Sequence, residues 1–206
     1  MLKNILYAML LGVGMAACLS QQDETQDKTT ESAPEEALIP AITEEAAPQP
    51  DPALFVVGKQ RVGNISIGMP VEQMRKQVAS GLSIKDTTLQ QEGIQSTAYV
   101  LHPEGQQKGL LIEQACNPKC QVWRISILST DFRTAQDISV GSKYSELQQA
   151  YNIRTVTYEE GNLVALAPDA GMSFILDHSP LPTDQLPKLT ATTAPANLLV
   201  KKILLY

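Results

Sequence analysis

Apolar positions recur along this chain in three rhythms, and each predicts a different kind of segment. From Ile5 to Gly14 they form one continuous run, preceded by Lys3 and followed by Met15-Ala16-Ala17-Cys18. From Leu19 to Ala53 they thin out among acids, prolines, Thr and Gln, and no aromatic residue occurs. From Phe55 onward short alternating runs return. They are separated by turn signals: Glu92-Gly93, His102-Pro103-Glu104-Gly105, Glu160-Gly161-Asn162 and Pro168-Asp169-Ala170-Gly171. Alternation with period two, bounded by Gly, Pro and Asn, predicts strands with one buried face.

A phrase repeats within this third region at an offset of 73 residues. Ile65-Ser66-Ile67-Gly68-Met69-Pro70-Val71-Glu72-Gln73-Met74 aligns with Ile138-Ser139-Val140-Gly141-Ser142-Lys143-Tyr144-Ser145-Glu146-Leu147. Both continue as short amphipathic stretches. Pro70 suits the first helical position of one, and Ser142 the N-cap of the other. Strand-like runs follow at Leu82 to Lys85, Thr97 to Leu101, Gly109 to Ala115 and Gln121 to Leu128. The second copy has them at Arg154 to Tyr158, Leu163 to Ala167, Gly171 to Asp177 and Leu198 to Tyr206. The expected fold class is α+β: two tandem units, residues 54–130 and 131–206, each a short helical segment followed by a four-stranded antiparallel sheet. Strict alternation puts Trp123 on the buried face with Ile125 and Ile127, and turns Arg124 and Ser126 away.

The leading run stops at Ser20-Gln21-Gln22, short of the roughly 20 apolar residues a membrane span needs. Its cation, apolar core and small-residue end are the pattern of a secretory signal peptide, residues 1–17. Ala16-Ala17-Cys18 resembles a bacterial lipobox, with Met15 where Leu is more usual. The resemblance implies that Cys18 is the lipidated first residue of the mature chain. Leu19 rather than Asp after it implies the outer membrane. Each buried methylene contributes about 0.8 kcal/mol, so several acyl chains hold a protein to a bilayer where one does so only marginally.

Charge separates the remaining regions. The net charge of −6 hides nine acids against Lys28 alone between Gln21 and Asp51, whereas from Pro52 onward 14 Lys and Arg face 13 Asp and Glu. Residues 18–53 are therefore expected to be a disordered acidic, Pro-rich stalk that follows the lipidated cysteine, reaching roughly 30–35 Å as a coil. The nearly neutral remainder lacks the clustered basic face that nucleic acid requires, so no nucleic acid is expected as a partner.

Candidate chemistry is sparse. Cys116 and Cys120 flank Asn117-Pro118-Lys119 between two predicted strands, and opposed antiparallel residues sit about 4.5–5.5 Å apart, within disulfide reach. Their C-x-x-x-C spacing is not the C-x-x-C of redox motifs, and a zinc site would need His102 and His178 brought to the same place. No nucleophile elbow, phosphate loop, dinucleotide fingerprint or H-E-x-x-H occurs. No catalytic residue, metal ligand or cofactor is expected. Tyr99, Trp123, Tyr144, Tyr151, Tyr158 and Phe174 read as packing residues. The connection from His178 to Asn197, with four prolines, is long enough to suggest a variable contact surface.

The phrase Ile67 to Met74 resembles the signature of small bacterial lipoproteins such as the BamE/SmpA group, and tandem helix-plus-sheet units resemble the β-lactamase inhibitor protein fold. The likeness runs from Gly63 to Tyr206, and the second copy has Ser142-Lys143 where the first has Met69-Pro70. It implies a shared fold without a shared partner. The expected function is that of a non-enzymatic, membrane-anchored envelope lipoprotein that binds an envelope protein. The alternative is a periplasmic small-ligand or metal sensor with its cleft between the two copies.

Overall fold

The structure is a computed structural model that describes residues 50–91 and 93–206. The expected signal peptide 1–17, the lipidation site Cys18 and the expected stalk up to residue 49 lie outside the described residues. A 3-10 turn at Pro52–Phe55 leads into β1 (Val56–Gly58), β2 (Arg61–Val62), β3 (Ile65–Ser66) and α1 (Val71–Lys76). Then come β4 (Leu82–Gln91), β5 (Ile94–Pro103), β6 (Leu110–Cys116), β7 (Cys120–Ile127) and β8 (Arg133–Thr134). The chain ends with α2 (Tyr144–Ala150), β9 (Thr155–Glu159), β10 (Asn162–Ala167), β11 (Met172–Leu176) and β12 (Val200–Leu205).

The expectation of an α+β protein built from two helix-plus-four-strand units is overturned. Among the described residues there are twelve strands, and the two helices are only six and seven residues long. The eight longer strands form one sheet in the order β4-β5-β6-β7-β12-β11-β10-β9, and the four short ones form a second, β3-β2-β1-β8. The protein is mainly β. The physical reason lies at β7 and β12. Left as separate sheets, each would expose a flat edge of unpaired N–H and C=O groups; pairing them removes both edges. Ile203 sits opposite Ile127 and Leu205 opposite Ile125, so the seam is also apolar. The second sheet crosses the halves as well, because β8 pairs in parallel with β1, Val57 opposite Thr134.

One core fills the space between the inner face of the large sheet, the two helices and the small sheet. Ile112, Ile125, Ile127, Leu163, Phe174, Ile203 and Leu205 come from the large sheet, Met74, Tyr144 and Leu147 from the helices, and Val57, Val62 and Ile65 from the small sheet; all are buried. Each large apolar side chain so enclosed contributes roughly 1.5–3 kcal/mol. Gly109 keeps β5 and β6 together, since a Cβ there would lie 2.1 Å from the Leu101 carbonyl oxygen.

Both helix starts differ from expectation by one residue. Pro70 is the N-cap, not the first helical residue, because it is held in a bridge to Gln121 while its carbonyl accepts from Gln73 and Met74 N–H. Lys143 rather than Ser142 is the N-cap of α2. The Ser142 hydroxyl instead accepts from Ser139 N–H at 3.1 Å, and Glu146 Oε2 accepts from Lys143 N–H at 2.9 Å.

The connection from His178 to Asn197 is mostly exposed but is bonded to the body of the protein. It straps across α2: Tyr144 Oη and Gln148 Nε2 both donate to the Ala191 carbonyl at 2.8 Å, and Ser145 N–H donates to Ala196. A 3-10 turn at Leu186–Lys188 packs against β9 and buries Leu186 to 1% exposure.

Candidate functional site

Alternation along the strands gives the large sheet an open face opposite the core. Leu111 and Glu113 on β6, Arg124 and Ser126 on β7, Lys202 and Leu204 on β12, Ile175 on β11 and Val164 on β10 line one groove of about 480 Å³ there. Leu89 from one outermost strand and Glu159, Glu160 and Asn162 from the β9–β10 turn at the opposite edge line the same groove. Eight strands at about 4.8 Å spacing would hold those edges far apart in a flat sheet, so this sheet curls with its open face inward. Curling explains why Ser126, Ser173 and Ile175 are buried although they face away from the core.

The groove is mixed in character: Leu89, Leu111, Val164, Ile175 and Leu204 share its lining with Ser126, Asn162, Lys202 and one ion pair. Arg124 Nε and Nη2 donate to the two carboxylate oxygens of Glu113, each at 2.7 Å, and the side chains are only 33% and 12% exposed. The hydrogen bonds to Glu113 hold the Arg124 guanidinium above its ordinary range against the opposing effect of desolvation, with smaller help from the charges of Glu113 and Glu160. Glu159 and Glu160 are exposed and, among the described residues, in no salt bridge. That leaves an acidic rim on a groove whose apolar residues alternate with Ser126, Lys202 and the Glu113–Arg124 pair.

Next to Arg124 stands a residue that alternation misplaces. Glu113 pairs with Arg124 but Gln114 pairs with Val122, so β7 carries one extra residue, Trp123, without a cross-strand partner. The bulge puts Val122 on the core side with Ile125 and leaves Trp123, the only tryptophan of the chain, 57% exposed. A bulge of this kind re-aims a side chain. The expectation that Trp123 shares the buried face is therefore corrected, while Tyr99, Tyr144 and Phe174 are buried.

A second cleft, of about 740 Å³, opens on the core side. It lies between the start of α1 and the β6–β7 hairpin, and Pro70, Glu72, Thr97, Tyr99, Gln114 and Lys119 are among its lining. No motif or spacing in the sequence marks this cleft, which is lined by the first copy alone and so is not the cleft expected between the two copies.

Cys116 and Cys120 are register partners across the hairpin, with sulfurs 1.99 Å apart and Cα atoms 3.9 Å apart. The histidines are each occupied by a backbone carbonyl: His102 Nδ1 lies 2.9 Å from Pro103 O, and His178 Nε2 lies 3.0 Å from Gly161 O, edge-on to Tyr158. Among the described residues no three His, Cys, Asp or Glu side chains converge on a possible metal position, and no helix is long and apolar enough to cross a membrane.

The described residues thus define a protein built on one long curled antiparallel sheet over a single core. It is similar to the crystal structure of the uncharacterized protein yfeY from Escherichia coli, with TM-score 0.54 and 17% identity, over 72% of this chain and 97% of that one. At that identity the likeness shows the fold alone. No family model and no curated protein matches the chain.

Proposed function

We propose that this protein is a non-enzymatic lipoprotein of the bacterial outer membrane, anchored through Cys18, that binds a protein partner across the open face of its large sheet. The partner is a protein segment that offers apolar side chains to Leu111, Val164, Ile175 and Leu204 and a Lys or Arg to Glu159 and Glu160. The observation that carries the reading is the exposed Trp123, held out by a bulge next to Arg124, whose side chain lines that groove. Binding hot spots are enriched in Trp and Arg and sit beside apolar pockets, whereas an exposed Trp contributes little to a fold. Complementary charge at the rim speeds encounter and sets orientation. The lipobox-like Ala16-Ala17-Cys18 supports the anchor.

Three experiments test this reading. A photo-crosslinking residue at position 204 in living cells should trap one defined protein through a segment that is apolar with an adjacent cation. With that protein purified, Trp123→Ala should weaken binding by about thirtyfold, the scale of a 2 kcal/mol hot spot, and Glu159→Lys with Glu160→Lys should slow association. Unchanged binding in both variants refutes the site. Cys18→Ala should release the protein from the membrane fraction; a variant that stays processed and bound refutes the anchor.

A further inference from the structure

The second cleft exists because a short helix covers long strands. Six helical residues extend about 9 Å, whereas the eight residues of β7 run about 26 Å, so the inner face of the sheet projects beyond α1. Its cross-strand pairs change character along the way. Leu101 opposite Leu110 is aliphatic, Tyr99 opposite Ile112 is amphipathic, and beyond them Thr97 and Gln114 line the cleft. A surface meant only to be covered by more core would stay apolar; this one becomes a floor of hydrogen-bonding groups.

We infer that this cleft binds a short zwitterionic peptide, its ammonium toward Glu72 and its carboxylate toward Lys119. Glu72 stands on the α1 wall and Lys119 on the hairpin wall; both are exposed, and among the described residues neither is in a salt bridge. A ligand of one sign would be repelled by one wall, whereas a ligand with opposite charges at its two ends is attracted by both. Tyr99 Oη spends its proton on Gln114 Oε1 at 2.7 Å, so the Gln114 amide N–H groups, which make no hydrogen bond among the described residues, are left to donate to a peptide carbonyl. Pro70, Val71 and Pro118 give apolar walls for small side chains. A volume of about 740 Å³ lies within the range of about 300–1,000 Å³ typical of ligand pockets. This site is independent of the open-face partner site, on the other side of the sheet.

Isothermal titration of the full-length protein in detergent micelles with trialanine tests the inference. Trialanine should bind saturably, and N-acetyl-trialanine amide should bind at least about tenfold more weakly. Glu72→Gln should remove the penalty for acetylating the amino end, and Lys119→Gln the penalty for amidating the carboxyl end. Trp123→Ala should leave the titration unchanged, which separates this site from the partner face. Absence of saturable heat up to about 10 mM, equal affinity for the blocked peptide, or binding that both charge variants leave intact would each overturn it.

Discussion

Glu113 and Arg124 face one another across β6 and β7, and among the described residues their pairing is the one salt bridge in the groove lining. With both side chains mostly enclosed, their worth lies between that of exposed pairs and that of fully buried ones. Glu113→Gln should cost about 1–2 kcal/mol, read as a lower urea midpoint at unchanged m-value, because it leaves the Arg124 charge half-desolvated. Replacing both residues by Leu should cost less than Glu113→Gln alone; a larger cost would contradict this view of the pair. One position further along, Trp123 shows how far period-two reading extends. Counting from Ile125 places it on the core face, and one inserted residue inverts every assignment beyond it. Nothing in Cys120 to Ile127 announces the bulge, since Trp and Val fit a strand equally well. Trp123→Ala should therefore change stability by less than about 0.5 kcal/mol, by urea unfolding, while it removes the proposed contact.

At the scale of elements, the eight longer strands and both helices lie close to where alternation and turn residues put them. The short strands β1, β2, β3 and β8 are two or three residues each, too brief for any periodicity to register. Spacing alone brought Cys116 opposite Cys120, and a bridge there closes a loop so small that it contributes about 2 kcal/mol in the chain-entropy account. Replacing both by Ala should lower the melting temperature by about 4–8 °C; no change would mean that the thiols are free. The strap from His178 to Asn197 depends on Tyr144, which donates to Ala191. Tyr144→Phe should cost about 1 kcal/mol and raise hydrogen exchange at 186–194. Burial pushes the Tyr144 phenol above its ordinary value, against a weaker lowering by its hydrogen-bonding neighbour Gln148. The stability tied to its protonated form is complete below about pH 10 and is lost as pH rises through the folded value, so Tyr144→Phe should also flatten the alkaline limb of the stability curve.

At the scale of the whole molecule, one core shared by the large and the small sheet makes the described residues a single cooperative body. Calorimetry should show one unfolding transition, and Ile203→Ala at the β7–β12 seam should shift it as a unit by about 2–5 kcal/mol. Two separated transitions would show that the halves fold alone. Sequence by itself determined what is local: the acidic composition of the segment after Cys18, the strand-and-turn succession, and two cysteines placed to meet. These follow from composition, period and short spacing, which act between near neighbours. Tertiary structure alone decided that two sets of four strands become one curled sheet, that the long connection is a strap, that Trp123 faces water, and that a cleft opens beyond α1. Each of those depends on edges and faces finding partners many residues away. Such pairings are chosen by the removal of open strand edges and by close packing of one shared core, and neither leaves a mark at any single position of the chain.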